Sequence, residues 1–413
     1  MVLQFFGRVQ MQLSMDNAVG FNTTEAVYPD AGAVNVTMSD ADLLAQRLGD
    51  RYMGTGSLVV LNIIYIAIFV SGMLGNICTC VVIAKNRSMH TATNYYLFSL
   101  AISDLLTLLL ALPPELYMYW EAYPWRLGQV FCIIKSYVQE LTAYASVLTI
   151  AAFTIERYLA ICHPMTLQVL NHPSRALRLL IVQWIIAIVC ALPFAIYTRT
   201  FYLVDHPETA QPIKDSLICN VPHDDRDTMT YFFQISTFVF FVYPMSVILI
   251  MYILIGIKLS NTNPVPNDRN NSAVVQARKS VIKMLVAVVV AFFLCWAPFH
   301  AQRLMTLYIT AEEWTPFLLD VQNNLFLISG VLYFIGSTIN PILYNAMSKK
   351  YRRAFLKTIL PCLRSQANAY TSTFNSNSPA SKSSPYFYNK LSTRPATRTS
   401  GLQDSSQEDS SPV

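Results

Sequence analysis

Leu148-Thr149-Ile150-Ala151-Ala152-Phe153-Thr154-Ile155-Glu156-Arg157-Tyr158-Leu159-Ala160-Ile161 decides the fold, because an acid-base pair interrupts the end of a long apolar run. An ionisable residue at a membrane helix end is costly unless it faces a bundle interior, finds a partner or snorkels to the interface. Glu156 beside Arg157 therefore reads as a latch. The plainer alternative is an arginine snorkelling at the cytoplasmic interface.

Outward from that stretch, the chain has the composition of a membrane protein. Of 413 residues, 54% are hydrophobic and 13% charged, where a soluble domain carries about 25% charged residues. Runs long enough to cross roughly 30 Å of hydrocarbon as helix lie at 58–84, 95–117, 130–162, 177–197, 231–259, 281–309 and 317–347. They predict an all-α, seven-transmembrane helix bundle. Their length and continuous apolarity argue against a barrel, whose strands would be about ten residues long and alternating. The expected organisation is a tail at 1–56, the bundle at 57–347, an amphipathic eighth helix at 348–362 lying along the membrane, and a disordered Ser/Thr/Asn/Pro-rich tail at 363–413.

Charge sets the orientation. Lys85, Arg87, Arg175, Arg178, Lys258, Arg269, Arg278, Lys279, Lys283, Lys349, Lys350, Arg352, Arg353 and Lys357 fall on one side, which is read as cytoplasmic. The opposite loops carry Glu121, Asp205, Glu208, Asp215, Asp224, Asp225, Asp227, Glu312 and Glu313, so the net charge of +5 averages a basic inner face and an acidic outer one. A cationic ligand would be drawn outward. The reading is a multi-pass plasma-membrane protein with its N-terminus outside and its C-terminus inside. Asn22 and Asn35 open Asn-x-Thr glycosylation acceptors on the outer side, whereas Asn270 in a cytoplasmic loop should stay bare. Residues 1–13 lack a sustained apolar core, so the first segment serves as the anchor. Most of the eight cysteines lie in membrane segments. Cys132 and Cys219 face the oxidising side and are expected to pair.

Asn76, Asp104 and Asn340 are polar residues inside membrane segments and need partners; together they form a polar core able to hold a cation and water, or simple interhelical glue. Pro244, Pro298 and Pro341 each leave a carbonyl unpaired and give hinges in segments five, six and seven.

Gly75-Asn76, Asp104, Cys132, Glu156-Arg157-Tyr158, Trp184, Pro244, Cys295-Trp296-Ala297-Pro298 and Asn340-Pro341-Ile342-Leu343-Tyr344, one set per helix, resemble the rhodopsin-like G-protein-coupled receptors. Each motif alone is weak, but their joint order over about 58–360 is specific. Glu156 stands where most relatives have Asp. Finer matches at 112–125, 153–164 and 283–303 resemble neuromedin U receptors and their arthropod relatives, the pyrokinin and capa receptors. That resemblance implies an amidated peptide ligand ending in Pro-Arg-x-amide, coupling mainly through Gq to calcium release, regulation by receptor kinases and arrestin, and no cofactor or nucleic acid.

Helix rise places Glu140 about 25 Å above Arg157 on the third segment, and Glu115 about 16 Å beyond Asp104. Two acids and Arg303 thus converge near the outer mouth, where Glu140 and Arg303 could pair and a ligand arginine could take Glu115 or Glu140. The resemblance implies a pocket of Glu115, Gln139, Glu140, Phe299, His300, Arg303 and Tyr333. It also implies a switch of Asp104, Glu156, Arg157, Tyr158, Trp296, Pro298, Asn340, Pro341 and Tyr344, a sodium site at Asp104 with no other metal, and palmitoylation of Cys362. Gln139 stands where amine receptors carry an Asp, and the seventh segment from 325 to 344 has no Lys for a retinal Schiff base. The alternatives are an ecdysis-triggering or neuromedin-like peptide receptor and, from another class, a membrane transporter. The sequence lacks the inverted repeats common in transporters, and His300 has no neighbouring group that would make an enzyme site.

Overall fold

The computed structural model describes residues 38–165, 173–207, 209–261, 271–309, 313–347 and 351–358. Asn22, Asn35, Cys362 and the tail hydroxyls lie outside the described residues, as do Glu208, Arg269, Asn270, Glu312, Lys349 and Lys350.

In chain order the helices are α1 (Asp40–Leu48), α2 (Thr55–Lys85), α3 (Ala92–Trp120) and α4 (Gly128–Cys162). They continue with α5 (Pro173–Tyr197), α6 (Arg226 to Asn261), α7 (Asn271–Tyr308) and α8 (Pro316–Met347). Helices α2 to α8 carry the seven apolar runs. Among the described residues all but α7 are long and apolar enough to cross a membrane. The first turns of α7 contain Arg278, Lys279 and Lys283, and its apolar stretch begins beyond them. Large apolar side chains such as Ile63, Ile181, Val182 and Ile253 are exposed on the helix surfaces. Patches of that extent suit lipid rather than water, and helices satisfy their backbone internally, as lipid demands.

Two helices depart from regular geometry beside prolines. A π turn at Thr107–Ala111 precedes Pro113 and Pro114 in α3, and another at Phe238–Val242 precedes Pro244 in α6. Proline offers no N–H and its ring crowds the carbonyl four residues back, so the helix widens there. One extra residue in the turn rotates everything beyond it by about 100°.

Close approach and buried polar bonds hold the bundle together. At Gly72 a Cβ would fall 2.6 Å from the Leu108 Cδ1 and 2.8 Å from the Thr338 Cγ2, so glycine lets those side chains of α3 and α8 pack directly on α2. Asn76 Nδ2 donates to the Ser337 carbonyl at 2.8 Å, Trp184 Nε1 to Ser99 Oγ at 2.9 Å, and Thr107 Oγ1 to Thr142 Oγ1 at 2.7 Å. An aromatic core of Tyr65, Tyr119, Tyr144, Phe194, Phe233, Phe240 and Phe334 fills the half toward the loops predicted to face outward, which we call the outer half.

The outer side is more structured than the sequence reading allowed. Residues 1–56 were expected as a polar tail, yet α1 forms within them. Ser39 Oγ accepts from the Asp42 N–H at 3.2 Å, Asp40 and Asp42 occupy the first turn, and Gly49 ends the helix at φ 78°. Leu44 and Leu48 pack on Tyr123, Ile213 and Ile218. In the long loop before α6, β1 (Arg199–Tyr202) pairs antiparallel with β2 (Leu217–Asn220), a hairpin that the all-α reading left as loop. The expected Cys132–Cys219 disulfide is formed and ties β2 to the start of α4, under Trp125. Of the expected eighth helix, residues 351–358 are helical, with Tyr351 buried and its hydroxyl donating to Thr79 at 2.9 Å.

Candidate ligand site and inner latch

Glu115 follows the π turn of α3, while α4 presents Lys135 and, one turn further on, Gln139 and Glu140. From α7 come Phe299, Gln302 and Arg303, and from α8 comes Tyr333. These residues line one outer cavity of about 90 Å³. Of the seven residues expected in the pocket, six therefore converge. His300 does not line it: its ring stacks on Phe241 at 4.4 Å and shares a hydrogen bond with the Thr237 hydroxyl at 3.2 Å.

Two buried ion pairs divide the charge. Arg303 holds Glu140 through both guanidinium ends, the longer contact, Nη1 to Oε2, measuring 3.3 Å. The guanidinium lies 4.5 Å from the Phe233 ring centre, 4.6 Å from Phe299 and 5.8 Å from Phe194, a cation–π cage that substitutes for lost water. Lys135 Nζ meets Glu115 Oε2 at 2.8 Å, with side-chain exposures of 4% and 9%. Breaking either pair by removing one member leaves an uncompensated buried charge, at a cost of about 3–5 kcal/mol. Among the described residues the buried Gln302 side-chain amide nitrogen has no hydrogen-bond partner. Tyr333 donates its hydroxyl to the Gln139 carbonyl at 3.0 Å and packs edge-on to Trp296 at 5.5 Å.

Lys135 and Gln302 were missed. The cost rule that flags Glu140 applies equally to a lysine five positions earlier on the same membrane helix, so Lys135 was legible; a neutral glutamine carries a weaker signal. Three of the outer acids already hold cations of this chain. Glu121 is already engaged by Arg51 Nη2 at 2.8 Å and Arg126 Nε at 2.8 Å, Asp215 by Arg51 at 2.9 Å, and Asp225 by Arg199 at 2.9 Å.

A second, larger cavity of about 220 Å³ runs inward from Trp296 and Tyr333 past Asp104 to Arg157. Asn340 Nδ2 donates to Asp104 Oδ2 at 3.0 Å, and Ser146 and Ser337 line the same space. Carboxylate and hydroxyl oxygens are the donors that a hard cation takes, so these residues fit the sodium ion that the resemblance implies. At the inner end Arg157 bonds Glu156 at 2.7 Å and also Thr93, and its guanidinium lies 5.4 Å from the Phe153 ring centre. Tyr158 bonds His163 at 3.2 Å. Pro298 and Pro341 sit inside α7 and α8, and Tyr344 belongs to α8 with its side chain outside the described residues.

Residues 75–344 match the family 7 transmembrane receptor (rhodopsin family). The chain belongs to that family of receptors and is not an enzyme. Among its relatives, the pyrokinin-1 receptor of Drosophila melanogaster is 40% identical over 72% of this chain and 79% of its own. The neuromedin U receptor homolog nmur-2 of Caenorhabditis elegans is 41% identical over 77% of this chain and 84% of its own, and human neuromedin-U receptor 2 is 38% identical over 72% and 71%.

Proposed function

We propose that this chain is a receptor for an amidated neuropeptide of the pyrokinin and capa kind, ending in Pro-Arg-x-amide, which signals mainly through a Gq-class G protein to calcium release. The observation that carries this reading is the outer cavity, where two carboxylates are each neutralised by a side-chain cation. Such carboxylates suit a ligand guanidinium, which can take one of them bidentately. The relatives named above add the peptide class. A neuromedin-like peptide is the second reading, favoured by the identity to the two neuromedin U receptors.

Ligand arrival would be felt by Tyr333 and Trp296. The inner end of α7 would then swing about Pro298, Arg157 would leave Glu156, and a G-protein helix would enter the groove so opened. Agonist drives this only through higher affinity for the open state. Tyr158, Asn340, Pro341 and Tyr344 belong to the same switch, and Asp104 would hold the sodium ion. The outer terminus would be glycosylated at Asn22 and Asn35, and Cys362 palmitoylated; receptor kinases and arrestin would act on the tail.

Calcium mobilisation in cells expressing the chain, challenged with peptides ending in Pro-Arg-Leu, Pro-Arg-Val and Pro-Arg-Asn, each as amide and free acid, tests the assignment. A nanomolar response to one amide and none to its acid supports it. Silence across the panel at confirmed surface expression withdraws ligand class and Gq coupling together.

A further inference from the structure

The outer cavity is too small for what it is proposed to bind. At about 90 Å³ it falls well short of the roughly 300–1,000 Å³ of ordinary ligand sites. Room must therefore be made before a ligand side chain can enter, and the departure of a lining side chain would make it.

The charges lining the cavity narrow the choice. They are Glu115, Lys135, Glu140 and Arg303, two of each sign, so they sum to zero. A ligand cation entering this wall would leave one positive charge in excess within a buried space, and that is expensive unless a resident cation departs. Arg303 is poorly placed to depart. It meets Glu140 at two points and is caged by Phe194, Phe233 and Phe299.

Lys135, though as deeply buried, is held by fewer contacts. It meets Glu115 at one point, 2.8 Å, and among the described residues Glu115 is its one ion-pair partner. It lies seven positions from the start of α4 at Gly128, about 10 Å below the outer end of the helix. Its unbranched stem can carry the ammonium toward the mouth while the methylenes stay against apolar surface. A guanidinium matches a carboxylate through two parallel bonds, whereas an ammonium offers a point charge.

We infer that Lys135 is an internal placeholder for the ligand cation: it occupies Glu115 in the empty receptor, and a guanidinium on the ligand displaces it outward and takes Glu115 in its place. Lys135 sets the threshold that an entering cation must exceed, so a neutral or weakly paired side chain gains nothing by entering. This exchange rests on the peptide reading above.

The test compares a hexapeptide amide ending in Pro-Arg-Leu with the same peptide carrying citrulline, a neutral isostere, in place of the arginine. Binding is measured by competition on membranes from expressing cells. Lys135→Met removes the competitor and is expected to raise the Arg-over-citrulline affinity ratio at least tenfold. Lys135→Arg holds Glu115 bidentately and is expected to lower the affinity of the arginine peptide at least tenfold, with the citrulline peptide changed less. The second variant keeps the buried charge balanced, so it decides the matter even where Lys135→Met fails to reach the membrane. A ratio unmoved by the variants, in a receptor that binds the arginine peptide, overturns the exchange alone. Absence of binding by the arginine peptide amides ending in Leu, Val and Asn alike to the unmodified receptor overturns the peptide reading and the exchange with it.

Discussion

The two cavities stacked along the bundle are built on opposite plans. The outer one, about 90 Å³, is crowded with paired charge and aromatic rings, while the inner one, about 220 Å³, is already hollow and mostly apolar between Asp104 and Arg157. Among the described residues Tyr333 alone lines both. Packed interiors resist continuous deformation and shift between discrete arrangements. Under the proposed peptide reading a ligand would have to remake the outer cavity, and the remaking would reach the inner one through the contact of Tyr333 with Trp296. The sharpest way to break this contrast is at the wall between them. Trp296 stacks on Phe292 at 5.6 Å and meets Tyr333 at 5.5 Å. Trp296→Ala should leave peptide binding within a few fold and abolish signalling, read as G-protein nucleotide exchange. Full signalling from that variant would uncouple the two cavities.

Next in size is the loss of an outer charge. Glu140→Ala removes the partner of Arg303 and an acid of the ligand wall, and truncating a charge in a desolvated contact typically costs about 2–5 kcal/mol. Peptide potency should fall at least a hundredfold at matched surface expression, measured by concentration–response beside cell-surface labelling. Retained potency would take Glu140 out of the site. A smaller effect is expected at the shared residue. Tyr333→Phe keeps the ring packing and deletes the 3.0 Å bond to the Gln139 carbonyl that ties α8 to α4. A neutral hydrogen bond is worth about 0.5–1.5 kcal/mol net, so basal nucleotide exchange should rise severalfold as the tie loosens. Unchanged basal exchange would show that the bond does not hold the resting form.

The same contrast separates what the sequence could say from what it could not. Apolar runs announce α2 to α8 because crossing a bilayer leaves no other use for them, and the cost of burying charge announces Glu115, Glu140 and Arg303. Pairing is another matter. That Lys135 takes Glu115, or that Arg51 and Arg126 take Glu121, depends on which turns of different helices and loops face each other, and no local pattern encodes that. The π turns lay half in view, since Pro113, Pro114 and Pro244 mark where a helix cannot stay regular. Helix α1 had its signals in Ser39, Asp40, Asp42 and Gly49, but a nine-residue helix is marginal by itself and forms because Tyr123, Ile213 and Ile218 cover its leucines.

The outer half differs from the inner in one further way, since it is strapped from above by ions. Arg51 joins Glu121 to Asp215, the Ala122 N–H bonds the Arg51 carbonyl at 2.9 Å, and Tyr123 donates to the Gly49 carbonyl at 2.7 Å. The Glu121 carboxyl is held at about 2, below its ordinary 4.5, chiefly by hydrogen bonds from Arg126 against an opposing effect of burial, and then by Arg51 and Tyr117. A carboxylate whose folded-state value is depressed contributes stability in full above its unfolded value and loses it as pH falls toward the folded one. The strap should therefore be intact from neutral pH down to about 5 and fade between 4.5 and 2. Limited proteolysis of the segment before α2 in purified receptor checks this. Cleavage should stay flat from pH 7 to 5, and Glu121→Gln at pH 7 should be cut a few fold faster than the unmodified chain. Cleavage that rises between pH 7 and 5 in the unmodified chain but not in Glu121→Gln would mean that the strap is released at a milder acidity than its two arginines allow.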